Sequence, residues 1–232
     1  MKIEHTVALI TGANRGLGLA FAKALLDRGA GKTYAGVRDP SKVTLPPGVV
    51  PVRLDVTRPE EVEAVAREAG DVTLVINNAG ITKHVDLLGE DAPKVVRDIF
   101  ETNFLGPLTM SRAFAPILAR NGGGAIINVL SALSWIVLPG TGPYSASKAA
   151  AWSMTNGLRR ELQGQKTQVL ALHVGYIDTD MARNAPGPKM KPEEVVSATL
   201  DALEAGKDEV LADDLSKKVK QGLSAERGVY LG

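Results

Sequence analysis

Short runs of apolar, largely β-branched residues alternate along this chain with longer stretches in which apolar side chains recur every three or four positions. The runs at 6–10, 32–37, 49–54, 72–76, 124–130, 167–174 and 208–212 have the length of strands. The stretches near 17–28, 59–69, 91–120, 143–163 and 191–205 have a helical period, and a short helix is predicted near 213–223. Val72-Thr73-Leu74-Val75-Ile76 offers apolar residues to both faces, as a strand covered on both sides must. The alternation therefore predicts an α/β fold, a doubly wound parallel sheet of the Rossmann type with helices on both faces. No breaker-rich linker divides the chain, so residues 1–232 read as a single domain, and Asn184 to Pro192 reads as a loop after the sixth strand. Pro107 lies inside the long pattern at 91–120. Having no N–H, it should interrupt the helix at Asn103, freeing that carbonyl for a water directed towards Lys148.

Composition narrows the picture. A 232-residue chain that is 44% hydrophobic can bury a substantial core. With 27 basic against 26 acidic residues, nothing suggests a nucleic-acid or anionic-membrane surface. The absence of cysteine excludes disulfides, thiol catalysis and thiolate-bound metal, and the histidines at 5, 84 and 173 have no metal-ligand spacing, so no metal is expected. No signal-peptide pattern and no long uncharged apolar span is seen, so a cytoplasmic location is expected.

Two segments carry chemistry. Thr11-Gly12-Ala13-Asn14-Arg15-Gly16-Leu17-Gly18 stands between the first apolar run and the first helical pattern. Strand, glycine-rich turn and helix is a dinucleotide-binding arrangement: Gly12 allows the tight turn, Gly16 the approach of a pyrophosphate, and Gly18 close helix packing. Missing Gly-Lys-Ser/Thr argues against a nucleotide triphosphatase loop. The second segment is Tyr144 with Lys148 four residues on, which share one face of the helix that follows Pro143. A free phenol titrates near ~10, and lowering it by roughly three units requires about 4 kcal/mol of differential interaction. A neighbouring ammonium is the expected source, and the pair suits moving a proton on or off an alcohol oxygen.

With Asp55-Val56, Asn77-Asn78-Ala79-Gly80, Asn103 and Ser131, these segments occur in an order and at spacings that resemble the short-chain dehydrogenase/reductase family, across essentially the whole chain. The resemblance implies that Tyr144 exchanges the proton, Ser131 polarises the carbonyl oxygen, Lys148 serves the phenolate and the nicotinamide ribose, and Asn103 completes a proton path. It further implies that Gly12, Asn14, Arg15, Gly16, Leu17, Gly18, Arg38, Asp55, Val56, Asn77, Ala79, Tyr144, Lys148, Gly175, Ile177 and Thr179 line the cofactor site. Asp55 would meet the adenine, and Gly175, Ile177 and Thr179 the nicotinamide carboxamide. The second strand ends Val37-Arg38 where relatives using NAD carry an acid. Arg38 and Arg15 then suit a 2′-phosphate, so NADP (NADPH) is the expected cofactor. Val174 replaces the proline usual before Gly175 in the family, which loosens that turn.

The expected activity is NADPH-dependent reduction of a ketone or aldehyde. NADP-linked alcohol oxidation, acyl-chain ketoreduction and a non-catalytic nucleotide-sensing scaffold are the alternatives. Leu133 to Leu138, Ile81 to His84 and the loop from Met181 are candidate walls of an apolar substrate pocket, which would suit a small hydrophobic carbonyl or alcohol, and the 133–138 run reads equally as core or oligomer surface. Phe114, Ile117, Leu118, Trp152, Met154 and Leu158 exceed what one sheet face should need. They point to a homodimer or homotetramer, as in most relatives.

Overall fold

Every apolar run read as a strand forms one, with its ends shifted by at most two residues. In the computed structural model, which describes residues 1–231, the strands are β1 (Val7–Thr11), β2 (Lys32–Val37), β3 (Val49–Arg53), β4 (Leu74–Asn77), β5 (Gly124–Val129), β6 (Thr167–His173) and β7 (Glu209–Leu211). They form one sheet in the order β3-β2-β1-β4-β5-β6-β7, and every neighbouring pair is parallel. The helices are α1 (Gly16–Asp27), α2 (Pro59–Glu68), α3 (Ala92–Phe100), α4 (Gly106–Arg120), α5 (Gly142–Glu161), α6 (Pro192–Glu204) and α7 (Asp214–Gly222).

Side-chain alternation along the strands divides the core into two layers. Ala8 and Ile10 of β1, Leu74 and Ile76 of β4, and Leu170 and Leu172 of β6 face one way, against Phe21 and Leu25 of α1 and Val195 and Leu200 of α6. Leu9, Val75, Ile126 and Val169 face the other way, against Val62 of α2, Phe114 of α4 and Leu158 of α5. The chain reverses its winding direction between β1 and β4. That switch point opens a crevice at the carboxyl ends of the strands, where such sheets take ligands.

Two expectations change. Phe114, Ile117, Leu118 and Leu158 are buried in the chain's own core, with Met154 packed against them, and Trp152 packs on the cluster around Leu130. Among the described residues no large apolar side chain of α4 or α5 is exposed, and Trp152 and Met154 are half-buried, so most of these residues are taken up by the chain's own core. The long pattern at 91–120 is also two helices joined by a π-turn, Glu101–Leu105, in which the Gly106 N–H reaches back five residues to the Glu101 carbonyl. Pro107 begins α4 immediately afterwards, so the interruption is a widened turn within a continuing helical path. Among the described residues no helix is long and apolar enough to cross a membrane, and no group of metal-ligating side chains is present.

Candidate active site

The glycine turn is built for a close approach of backbone to ligand. Gly12 and Gly16 take φ values of +67° and +53°, open to glycine without strain. At Gly18 a Cβ would stand 2.6 Å from Asn78 Nδ2, so only glycine lets α1 sit this close to the turn after β4. Asn78 braces that turn, its Nδ2 donating to the Thr11 and Gly12 carbonyls at 2.9 and 3.2 Å, while Thr11 Oγ1 accepts from the backbone of Asn78 and Ala79. No side chain caps α1 and no acid stands in its first turn, so its leading N–H groups and positive dipole end face the crevice. Asn14 and Arg15 are exposed here, and Leu17 is buried beneath them. This cradle fits a dinucleotide pyrophosphate.

The residues expected at the adenosine end lie at the ends of β2 and β3. Arg38 is exposed and makes no ion pair among the described residues, because Asp39 is bonded to Ser41 and Lys42 instead. Asp55 follows β3, with Val56 buried behind it. Burial acts to raise the Asp55 carboxyl, but hydrogen bonds from Thr57 and the charges of Arg38 and Arg58 hold it below the usual carboxylate range. Asn77 turns its side chain into the protein, donating to Asn128 at 2.8 Å, and Asn128 donates to Thr155 at 2.9 Å. Asn77 therefore has only its backbone to offer a ligand. The two arginines are not aimed together: Arg15 pairs with Asp180 at 2.8 Å across the crevice, and Asp180 also binds Arg183.

The residues expected at the reacting end come together from three elements. Ser131 follows β5 and caps a short 3-10 turn, its Oγ accepting from Leu133 N at 3.1 Å and donating to the Val174 carbonyl at 3.3 Å. Tyr144 and Lys148 occupy the first turns of α5. Lys148 is buried, its ammonium donating to the Val129 carbonyl at 2.7 Å and standing 5.7 Å from the Tyr144 ring centre. Burial pushes the lysine down to about 8. It pushes the half-buried Tyr144 phenol up to about 12, opposed by the neighbouring Ser131 hydroxyl. The phenol thus lies above its ordinary value and not below it as expected, with burial the largest cause and the Lys148 ammonium turned to the Val129 carbonyl.

Asn103 reaches this end from the π-turn. Its amide clamps Ile81, accepting from N and donating to O at 2.9 Å each, and also donates to Ser147 Oγ at 3.1 Å. Gly80 lies between Asn103 Oδ1 and Lys148 Nζ: a Cβ there would come within 3.3 and 3.9 Å of them.

Behind Ser131 lies a buried histidine. His173 Nδ1 is 3.1 Å from the Ser131 carbonyl, and its ring stacks on Trp135 with centres 3.9 Å apart. Burial pushes His173 down to about 4, so the ring is neutral and its one proton sits on Nδ1, donating to that carbonyl. Glu209, 3.6 Å from Nε2, is already paired with Lys220.

Trp135, expected in the pocket wall, thus packs inward, whereas Val137 and Leu138 are exposed. With Val85, Leu87 and Pro139 they line an open cleft of about 320 Å³ beside the start of α5. Ile81 and Met181 are exposed nearby in sequence to the crevice residues. Gly175, Ile177 and Thr179 run along the end of β6, Thr179 packing near Gly16. One residue escaped the sequence reading altogether. Asp213 bonds both Gly175 N at 2.6 Å and Ser216 N at 2.8 Å, and only its helix-capping half has a local signature.

A family model described as short chain dehydrogenase matches residues 6–189. The chain is 34% identical over 216 residues to the 3-oxoacyl-(acyl-carrier-protein) reductase FabG of Vibrio cholerae, an alignment spanning 89% of this chain and 85% of that protein. A short chain dehydrogenase of Burkholderia cenocepacia, solved in complex with NADP, is 48% identical and superposes with a TM-score of 0.93 over 98% of this chain and 96% of its own. A 3-ketoacyl-(acyl-carrier-protein) reductase of Brucella melitensis, complexed with NADH, is 28% identical with a TM-score of 0.82, over 90% of this chain and 96% of its own.

Proposed function

The chain belongs to the short-chain dehydrogenase family, and on that premise we propose that it reduces hydrophobic ketones or aldehydes to alcohols, using NADPH. NADPH, when bound, supplies the hydride. Gly12 to Gly18 and the N-terminus of α1 would hold the pyrophosphate, and Asp55, Val56 and the backbone of Asn77 and Ala79 the adenosine. Gly175, Ile177 and Thr179 would hold the nicotinamide side. The solved relatives include complexes of both NADP and NADH, so the choice rests on this chain's own β2 terminus. Arg38, exposed and without an ion pair there, favours a 2′-phosphate, and Arg15 would join it by leaving Asp180.

The observation that carries this reading is the placement of Tyr144 and Lys148 in the first turns of α5 beside Ser131, with the Lys148 ammonium 5.7 Å from the Tyr144 ring centre. In reduction the Tyr144 phenol, protonated at neutral pH, gives its proton to the oxygen of the carbonyl that receives the hydride, and the same group takes the proton back when an alcohol is oxidised. Ser131 turns its hydroxyl from Val174 to the substrate oxygen and stabilises the charge that develops there. Lys148 holds positive charge beneath the phenol, and Asn103 keeps the 81 loop and α5 in register around it. The apolar cleft at Leu87, Val137 and Leu138 receives the substrate's carbon skeleton.

A panel of carbonyl compounds with NADPH tests this, following loss of nicotinamide absorbance. It should contain aromatic diketones, aliphatic aldehydes, β-keto thioesters and sugars. The expected outcome is turnover of the apolar members. Turnover restricted to the sugars, or none with any member, contradicts the proposal.

A further inference from the structure

The turn that carries Gly175, Ile177 and Thr179 has Val174 and no stiffening proline before Gly175, and it is tied on both flanks. On one side the Val174 carbonyl accepts from Ala132 N at 3.1 Å and from Ser131 Oγ at 3.3 Å. On the other, Ala212 N donates to the His173 carbonyl at 2.9 Å, and the chain then delivers Asp213 against Gly175. The two carboxylate oxygens of Asp213 are divided. Oδ1 accepts from Ser216 N at 2.8 Å and caps α7, while Oδ2 accepts from Gly175 N at 2.6 Å. The fit is tight, since a Cβ on Gly175 would stand 2.7 Å from Asp213 Oδ2 and 3.0 Å from a Leu215 methyl. Asp213 lies beyond residues 6–189, the span that the family model matches.

We propose that Asp213 is a positioning residue for the hydride-transfer site: its carboxylate clamps the Gly175 amide and so supplies a rigidity that Val174 does not. A proline limits its own φ and thereby reduces the states open to a turn. A charge-assisted hydrogen bond from a helix cap limits the next residue instead. The clamp sets the height of Ile177 and Thr179 over the crevice, and small errors in such placement slow a transfer steeply. The clamp itself is a statement about the protein alone, whereas its consequence for hydride transfer rests on the proposed reductase activity.

The two oxygens make the idea separable from simple helix capping. Asp213→Asn keeps one acceptor for Ser216 and turns an amine towards Gly175 N, and Asp213→Ser keeps a good cap that is too short to reach Gly175. Hydrogen exchange at the Gly175 amide is measured without nucleotide in both variants. It should rise by about tenfold or more, while exchange along α7 stays as in the unmutated protein. Single-turnover reduction of benzil by NADPH should slow by about tenfold in Asp213→Asn and recover when Val174→Pro is added, with NADPH affinity little changed. Unchanged exchange at Gly175 overturns the clamp, and raised exchange without slowed transfer overturns its positioning role. If the unmutated protein reduces no benzil, the reductase reading of this substrate class fails, and the exchange result still decides the clamp.

Discussion

At the scale of single residues, the decisive feature is that burial, more than charge, sets the protonation of the site. Burial raises the Tyr144 phenol, which is protonated at neutral pH in any case, and holds the fully buried His173 ring neutral down to about 4. Tyr144→Phe deletes only the proton to be transferred. It should lower kcat for carbonyl reduction by roughly a hundredfold or more while nucleotide fluorescence titration shows unchanged NADPH affinity. More than about a tenth of the original kcat would remove Tyr144 from the role of acid. His173 gives a pH prediction. Its native value of about 4 lies below the ordinary 6.5, so the unfolded chain binds the extra proton between those limits. Its contribution to stability is complete above pH 6.5 and is lost as the pH falls towards 4. Denaturant unfolding should show a loss of about 2 kcal/mol between roughly pH 7 and pH 5. A flat profile across that interval contradicts the buried neutral ring. That Tyr144, Lys148, Ser131 and Asn103 are candidates for one site could be read in the sequence, from the Tyr-Lys spacing and the ordered motifs that resemble the family. Their electrostatics could not, because desolvation depends on what covers a group, and spacing carries no record of that. Asp213 was invisible for the same kind of reason: its cap is local, but its second bond reaches a residue 38 positions away.

At the scale of elements, apolar periodicity gave the seven strands and most helix limits directly. It failed at the 91–120 stretch, since a period averaged over many residues cannot register one widened turn. Pro107 announced an interruption. The form it takes follows from contacts far away in sequence: a Cβ on Gly106 would stand 2.8 Å from a Val56 methyl, and Asn103 is held by Ile81 and Ser147. The same limit explains the apolar residues of α4 and α5. Periodicity marks a face as buried without saying whether the chain's own sheet or a second copy covers it. The π-turn yields its own prediction. Asn103→Ala leaves the Ile81 N–H and carbonyl without their side-chain partners, and should reduce unfolding free energy by about 2–3 kcal/mol, read from the denaturant midpoint at constant m-value. A change under about 0.5 kcal/mol would show that the amide does not hold the turn in place.

At the scale of the whole molecule, the sheet order brings segments scattered from Gly12 to Thr179 to one rim, and that convergence is what the individual motifs could only hint at. The winding could be anticipated because alternating strands and helices allow few arrangements. The pairing of Arg15 with Asp180 could not, as 165 residues separate them and neither lies in a pattern that points to the other. It leaves Arg38 without Arg15 at the end of β2, with Arg58 also acting on Asp55 nearby, which turns cofactor choice into the sharpest question about the site. The proposed function stands or falls on that choice together with catalysis, so the most direct measurement is kcat/KM for NADPH and for NADH, with benzil as acceptor, in the unmutated protein and in Arg38→Asp. The account predicts a preference for NADPH of about a hundredfold, reduced to near parity by the substitution, because charge-assisted bonds to the 2′-phosphate are replaced by repulsion. Equal values for the two cofactors in the unmutated protein would contradict it.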